Sequence, residues 1–353
     1  MQPLRIAHVG PVATTIPPPR SGSVETMTSL LTEGLVARGH DVTLFATGDS
    51  RTKAKLHALY QHGYNSDPNM WPWELYEMFN LSAAVERAAA FDVIHYQSRY
   101  YPLSLAFGRL SPTPIVQTVH HKPSAQEVAL WSGYPDAAFV AISGEQARCL
   151  SGLNVVATIL HGIDTDRFVY CDQPEDYVLF LGRFAEGKGV RQAIDIARAL
   201  GLRLLLAAEP NPYYWEHVAP FVDGKQVVYV GEVDFDAKVR LYGGARALLY
   251  PVQADEPFGL VLAEAMACGT PVAALDRGAV REIVEDGVTG IVYRDLEQMI
   301  DQFDRVLALT RHEVRRQAVA SFGVDRMVDA YLAVYRRLVE ARRSSGSMTA
   351  GSR

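Results

Sequence analysis

Three cysteines in 353 residues, Cys149, Cys171 and Cys268, are an odd number at wide spacing, which excludes a disulfide framework and a cysteine metal cluster. That scarcity suits a reducing cytoplasm. No apolar run approaches the ~20 residues of a membrane-crossing helix, and the opening MQPLRIAHVG is interrupted too early for a secretory leader, so a soluble protein is expected. Basic charge is not in excess either. The 34 Lys and Arg against 40 Asp and Glu leave a net charge of -6 with interspersed signs, which argues against bulk nucleic-acid binding. There is no G-x-G-x-x-G dinucleotide fingerprint and no internal sequence repeat.

What is present is an alternation. Hydrophobic residues make up 48% of the chain, enough for two cores at roughly 100–200 residues per domain. The runs RIAHV, DVTLFA, FDVIHY, PIVQTV and AFVAIS lack strict apolar/polar alternation, as strands covered on both faces do. Helical patterns separate them, including 25–38, which stops at Gly39, and one after Ser143, where Ser143-x-x-Gln146 reads as a capping box. The cycle restarts with YVLFLG, RLLLAA, VVYVG, ALLYPV, TPVAAL and GIVY, interleaved with helices at 189–200, 236–245 and 259–268. The expectation is an α/β chain of two doubly wound parallel-sheet domains, 1–168 and 169–324. The polar stretch 164–176 serves as hinge, a helix at 325–343 packs back on the first domain, and 344–353 form a disordered tail.

Ligands of open α/β sheets bind at the carboxyl ends of strands, so chemistry is sought in three strand-to-helix loops. The first, TTIPPPRSGS, stiffens itself with Pro17, Pro18 and Pro19 before Gly22 lets backbone approach an anion at a helix start. In the second, GRFAEGKG, Arg183 and Lys188 can converge on one phosphate. In the third, EPFGLVLAEAMACGTPV, Glu256 precedes a helix that contains Glu264, while Phe258, Gly259 and Leu260 offer first-turn N–H groups. A carboxylate beside a phosphate-binding helix start suits hydroxyls, those of a ribose or a sugar.

GRFAEGKGV, EPFGLVLAEAMACGTPVAA, HGID and DGVTG resemble the signature segments of the retaining glycosyltransferases of family four. The resemblance runs from about residue 4 to about residue 340 and implies the GT-B fold, two Rossmann-like domains facing a central cleft. It implies transfer of a hexose-type sugar from a nucleotide-diphosphate sugar to a hydroxylated acceptor, in carbohydrate or glycoconjugate biosynthesis, with no cofactor. Arg183 and Lys188 would hold the donor diphosphate with Gly22 and the backbone of Phe258, Gly259 and Leu260. Glu264 would bind the ribose, and Glu256 and His120 would act on the transferred sugar, with His121 as the register rival of His120. PPPRSGS resembles the proline-rich loop of antibiotic-tailoring enzymes of the avilamycin type.

Two positive charges and a helix start against a diphosphate make a metal unnecessary by charge counting. Asp164-Thr-Asp166 and Asp234-Phe-Asp236 are read as hinge and helix cap rather than as metal sites. The basic stretches 51–60 and 335–343, read as helical, leave peripheral membrane contact as a less favoured reading. The aromatic-rich segments 64–79 and 98–107 are candidates for the acceptor side or for local core. A sugar-nucleotide epimerase of the same architecture and a non-catalytic sugar-nucleotide-binding protein are the alternatives. Turnover without acceptor would mark the first and binding without turnover the second.

Overall fold

The computed structural model describes residues 2–350, without the side chains of Ser98 and of 345–350. It divides into two compact units, Met1–Gly162 with Val324–Arg353, and Ile163–Gly323. The first unit holds β1 (Arg5–Val9), β2 (Asp41–Phe45), β3 (Lys55–His57), β4 (Val93–Ser98), β5 (Ile115–Val119), β6 (Ala138–Ala141) and β7 (Val155–Thr158). They form a parallel sheet in the order β3-β2-β1-β4-β5-β6-β7. The second unit holds β8 (Val178–Leu181), β9 (Leu204–Ala207), β10 (Val227–Gly231), β11 (Leu248–Tyr250), β12 (Val272–Leu275) and β13 (Gly290–Tyr293). Their order is β10-β9-β8-β11-β12-β13, again parallel. Strand order therefore reverses between β1 and β4 in one unit and between β8 and β11 in the other, and the loops leaving these strands flank the natural ligand crevice of each sheet.

The edge strands β3 and β7 escape the sequence pattern because an edge needs only three or four residues and no apolar period. β3 also corrects the helical reading of 51–60: Lys55 is in a strand, ion-paired with Asp41 at 2.7 Å. The units part at Gly162 and Ile163, six residues before the expected boundary. Ile163 N–H donates to the Phe322 carbonyl at 2.7 Å, and the Arg315 guanidinium donates to the carbonyls of Thr165, Phe168 and Ala267, which ties 163–168 to the second unit.

The last helix, Val324–Ala350, belongs to the first unit. Gly34 of the helix Ser23–Ala37 lets it approach, since a Cβ there would lie 2.5 Å from Val328 Cγ2, and Arg38 pairs with Asp325 and Asp329 at 2.9 Å. Its basic residues serve the same docking, Arg337 donating to the Val156 carbonyl and Arg342 to that of Pro112. The helical backbone continues past 343, with the Ser344 hydroxyl donating to the Glu340 carbonyl, so the tail expected over 344–353 is helical over 344–350; residues 351–353 lie outside the described residues. No helix among the described residues is long and apolar enough to cross a membrane.

Candidate active site

In the second unit the loops after β8 and β11 lie one upon the other. Gly189 has the left-handed φ of 75°, and a Cβ on it would sit 1.9 Å from the Pro251 carbonyl oxygen, so only glycine permits the approach. The N–H groups of Gln253 and Ala254 donate to the Gly187 carbonyl at 2.9 and 3.2 Å. This contact brings Lys188 Nζ to 2.7 Å from Glu256 Oε2, with both side chains mostly shielded. Arg183 is exposed at the start of the same loop. The Ala279 N–H donates to the Glu256 carbonyl at 3.0 Å, which holds the other side of the glutamate backbone.

Phe258 is buried edge-on to Phe322, and Gly259 (φ 94°) caps the helix Leu260–Ala267. A Cβ on Gly259 would lie 2.9 Å from Tyr250 Oη, a buried hydroxyl with no hydrogen-bond partner. Glu264 is buried in that helix, where Oε1 accepts from Lys238 Nζ at 2.7 Å and Oε2 from the Tyr242 hydroxyl at 2.9 Å. A carboxylate offers about four acceptor sites, so these bonds leave capacity for further hydroxyls. Lys238 and Tyr242 were not singled out in the sequence. Their i, i+4 spacing puts both on one face of the helix Phe235–Gly244, and that is the signal by which they were findable. Asp234 caps this helix, accepting from the Ala237 N–H at 2.8 Å.

In the first unit the proline-rich loop is pinned along its length. Val12, Ala13 and Ile16 present their carbonyls to the N–H groups of Tyr64, Asn65 and Arg51 at 3.1, 3.0 and 2.8 Å. Gly22 (φ 150°) starts the next helix, and a Cβ there would lie 2.8 Å from Pro18 Cγ. The first turn carries a buried Glu25, so its own carboxylate already answers part of the helix-start charge. A second acid, Glu77, is buried beside the loop, accepting from the Val12 N–H and the Tyr64 hydroxyl, each at 3.1 Å. Burial pushes its carboxyl up to about 7.

His120 follows β5 and is held by a chain of polar side chains. The Thr32 hydroxyl donates to the Thr28 carbonyl, so His8 Nδ1–H donates to Thr32 Oγ1 at 2.7 Å and His8 Nε2 accepts from the Gln97 amide at 2.8 Å. The Gln97 oxygen then accepts from His120 Nε2–H at 2.7 Å, which sets the tautomer of His120. His120 also stacks on His161 at 5.3 Å. His121 takes a different partner, Glu127, at 3.1 Å. Gln146 brackets the pair by donating to the Val119 and His121 carbonyls, and its oxygen accepts from the Ile142 N–H. The expected capping box is thus half formed: Ser143 Oγ accepts from the Gln146 N–H, while the Gln146 side chain turns to the strand ends. Burial pushes His8 and His161 down to about 3 and holds His95 and His120 well below the ordinary imidazole range. All four are neutral near pH 7.

Two family models match this chain, Glycosyltransferase Family 4 over residues 24–167 and Glycosyl transferases group 1 over 175–308. The chain belongs to glycosyltransferase family 4. A phosphatidyl-myo-inositol mannosyltransferase of Mycobacterium tuberculosis is 26% identical over 91% of each chain. Among solved structures, AviGT4, a glycosyltransferase involved in avilamycin A biosynthesis, superposes with a TM-score of 0.73 at 24% identity, covering 96% of this chain and 99% of its own. Anabaena HepE in complex with UDP and glucose gives 0.71 at 16% identity, over 95% and 100%. The two parallel-sheet domains of this glycosyltransferase are those of the GT-B fold.

Two outcomes follow from this geometry. Gly189→Ala should lower the thermal stability of the second unit by at least the ~1 kcal/mol of a left-handed strain and pull Lys188 away from Glu256; an unchanged melting curve would show that the loops do not depend on that approach. Acid should destabilise the first unit. A buried imidazole that titrates at 6.5 unfolded and far lower folded stabilises fully above pH 6.5 and loses that contribution as pH falls, at up to about 1.4 kcal/mol per pH unit for each group. Glu77, raised to about 7, works in the opposite sense, but one carboxyl opposes four imidazoles. Urea unfolding followed by the tryptophans of the first unit should therefore show a midpoint that falls between pH 7.5 and 5.5, and a flat midpoint would contradict the neutral network.

Proposed function

We propose that this glycosyltransferase moves a hexose-type sugar from a nucleotide-diphosphate donor to a hydroxyl acceptor, with retention of anomeric configuration and without a metal, in the cytoplasm. The observation that carries the reading is the meeting of Lys188 and Glu256 at 2.7 Å beside the left-handed Gly259 helix start. A cation, a carboxylate and a helix N-terminus in one loop cluster at the switch point of the sheet suit a diphosphate and the hydroxyls next to it. The UDP and glucose of HepE support a nucleotide-sugar donor.

The charge count made from sequence needs one correction. Lys188 is already matched by Glu256, so donor binding exchanges partners: the diphosphate takes the ammonium, and Glu256 is released to the hydroxyls of the transferred sugar. Arg183, Lys188 and the N–H groups at Phe258, Gly259 and Leu260 then stabilise charge developing on the departing phosphate. Glu264, held by Lys238 and Tyr242, accepts from ribose hydroxyls. His120, neutral and of fixed tautomer, serves as a hydrogen-bonding group for the sugar rather than as a cation, and Gly22 as a backbone contact for a phosphate. A front-face transfer, in which the leaving phosphate helps take the acceptor proton, accounts for retention without a double-displacement nucleophile.

Calorimetry separates these roles. Arg183→Ala should cost nucleoside diphosphate binding ~1–3 kcal/mol, and Glu264→Gln should weaken it as well. Glu256→Gln should leave that binding unchanged or tighten it, because it frees Lys188, while lowering turnover. Equal weakening by the two glutamine substitutions would overturn the division. Activity should persist in excess chelator, with the donor's anomeric configuration preserved in the product by proton NMR; loss restored by a divalent ion would reverse the metal-independent reading.

A further inference from the structure

The first sheet has its own switch point, between β1 and β4, and a pocket of about 530 Å³ opens beside it, a volume within the range of ligand sites. Its walls include Tyr64, Asp67, Trp71, Trp73, Arg99 and Tyr101. Trp73 organises them: it stacks on Tyr101 at 5.8 Å and 11°, and lies 5.7 Å from the Tyr64 ring. Trp71 is nevertheless 72% exposed and Tyr101 46%. Large aromatic faces left open together in a concavity are a costly arrangement unless something covers them.

The polar side of the pocket is built with equal care. Arg99 Nη1–H donates to Tyr64 Oη at 3.2 Å and lies 3.8 Å from the buried Glu25 carboxylate, while the Tyr64 hydroxyl donates to Glu77, which also accepts from the Val12 N–H in the loop after β1. Arg99 is the sole cation among the lining residues, it faces Glu25, and Asp67 adds a further carboxylate to the lining. An anionic ligand meets a charge already answered and a second carboxylate. A ring with an apolar face and a rim of hydroxyls meets aromatic faces to stack on, Arg99 and Asn65 as donors, and Asp67 as acceptor.

We propose that this pocket binds the acceptor, and that the acceptor presents an uncharged polyhydroxylated ring, a sugar or cyclitol without phosphate. The proposal rests on the transferase reading for the word acceptor, since Arg183, Lys188 and Glu264, the residues read as holding the nucleotide, lie in the other unit. The test needs no donor. Saturation-transfer NMR on the full chain would use methyl glycosides of glucose, galactose and mannose together with myo-inositol, against inositol 3-phosphate and phenol. Each probe is present at about 10 mM, enough to fill a site of Kd near about 1 mM. At least one neutral polyol should show transfer to its ring protons, lost in Trp71→Ala and in Tyr101→Ala. Both side chains are exposed enough for the fold to tolerate the change, as an unaltered thermal shift with a nucleoside diphosphate would verify. No transfer to any neutral polyol, transfer surviving both substitutions, or stronger transfer to inositol 3-phosphate or phenol would each overturn the proposal. Failure of nucleoside diphosphates to stabilise the wild-type chain would count against the transferase reading instead, and the NMR result would still decide what the pocket holds.

Discussion

The close approach of the Gly189 backbone to the Pro251 carbonyl is the constraint on which the second unit's site depends. The loops that leave the neighbouring strands β8 and β11 meet backbone to backbone with no side chain between them, and a left-handed glycine is what allows it. At that contact Gly187 receives the amides of Gln253 and Ala254 and Lys188 meets Glu256, and the helix carrying Glu264 begins at a second left-handed glycine. Glu264 can be buried only because Lys238 and Tyr242 answer it. Removing one partner of such a pair costs roughly 3–5 kcal/mol, far more than the pair itself contributes.

The first unit solves a different problem. Parallel strands covered on both faces ordinarily carry apolar side chains, yet β1, β4 and β5 place His8, His95, Gln97 and Thr118 in the interior. His95 donates or accepts with Thr118 Oγ1 at 2.8 Å and the Tyr335 hydroxyl at 2.6 Å, and Tyr331 reaches Thr118 at 2.8 Å. The last helix therefore docks through hydrogen bonds as well as through its apolar face. A satisfied polar interior of this kind holds its members in one arrangement, and it carries that order outward to His120 through a single glutamine.

Much of the fold was legible from period and punctuation. Central strands announce themselves by apolar runs, and helices by caps such as Gly39. Edge strands β3 and β7 do not, because a few residues paired on one side need no pattern. The boundary at 162 was hidden for a related reason: residues 163–168 are polar and aperiodic, and what assigns them is the guanidinium of Arg315, far along the chain. Among site residues, Arg183, Lys188, Glu256 and Glu264 stood out by their loops. Gln97, Glu77 and Tyr250 did not, since a lone glutamine, glutamate or tyrosine in a strand or helix carries no local sign of what it will meet.

The sequence by itself determined the alternation of strands and helices, the two-domain plan and the glycines at which loops must turn or approach, because these are properties of neighbouring residues. Only the tertiary structure decided which charges meet. Lys188 pairs with Glu256 across 68 positions, Lys238 with Glu264 across 26, and Gln97 joins His8 to His120 across 89 and 23. Charge and hydrogen-bond partners are chosen by distance in space, and that distance is set by sheet order, which no short stretch of sequence contains.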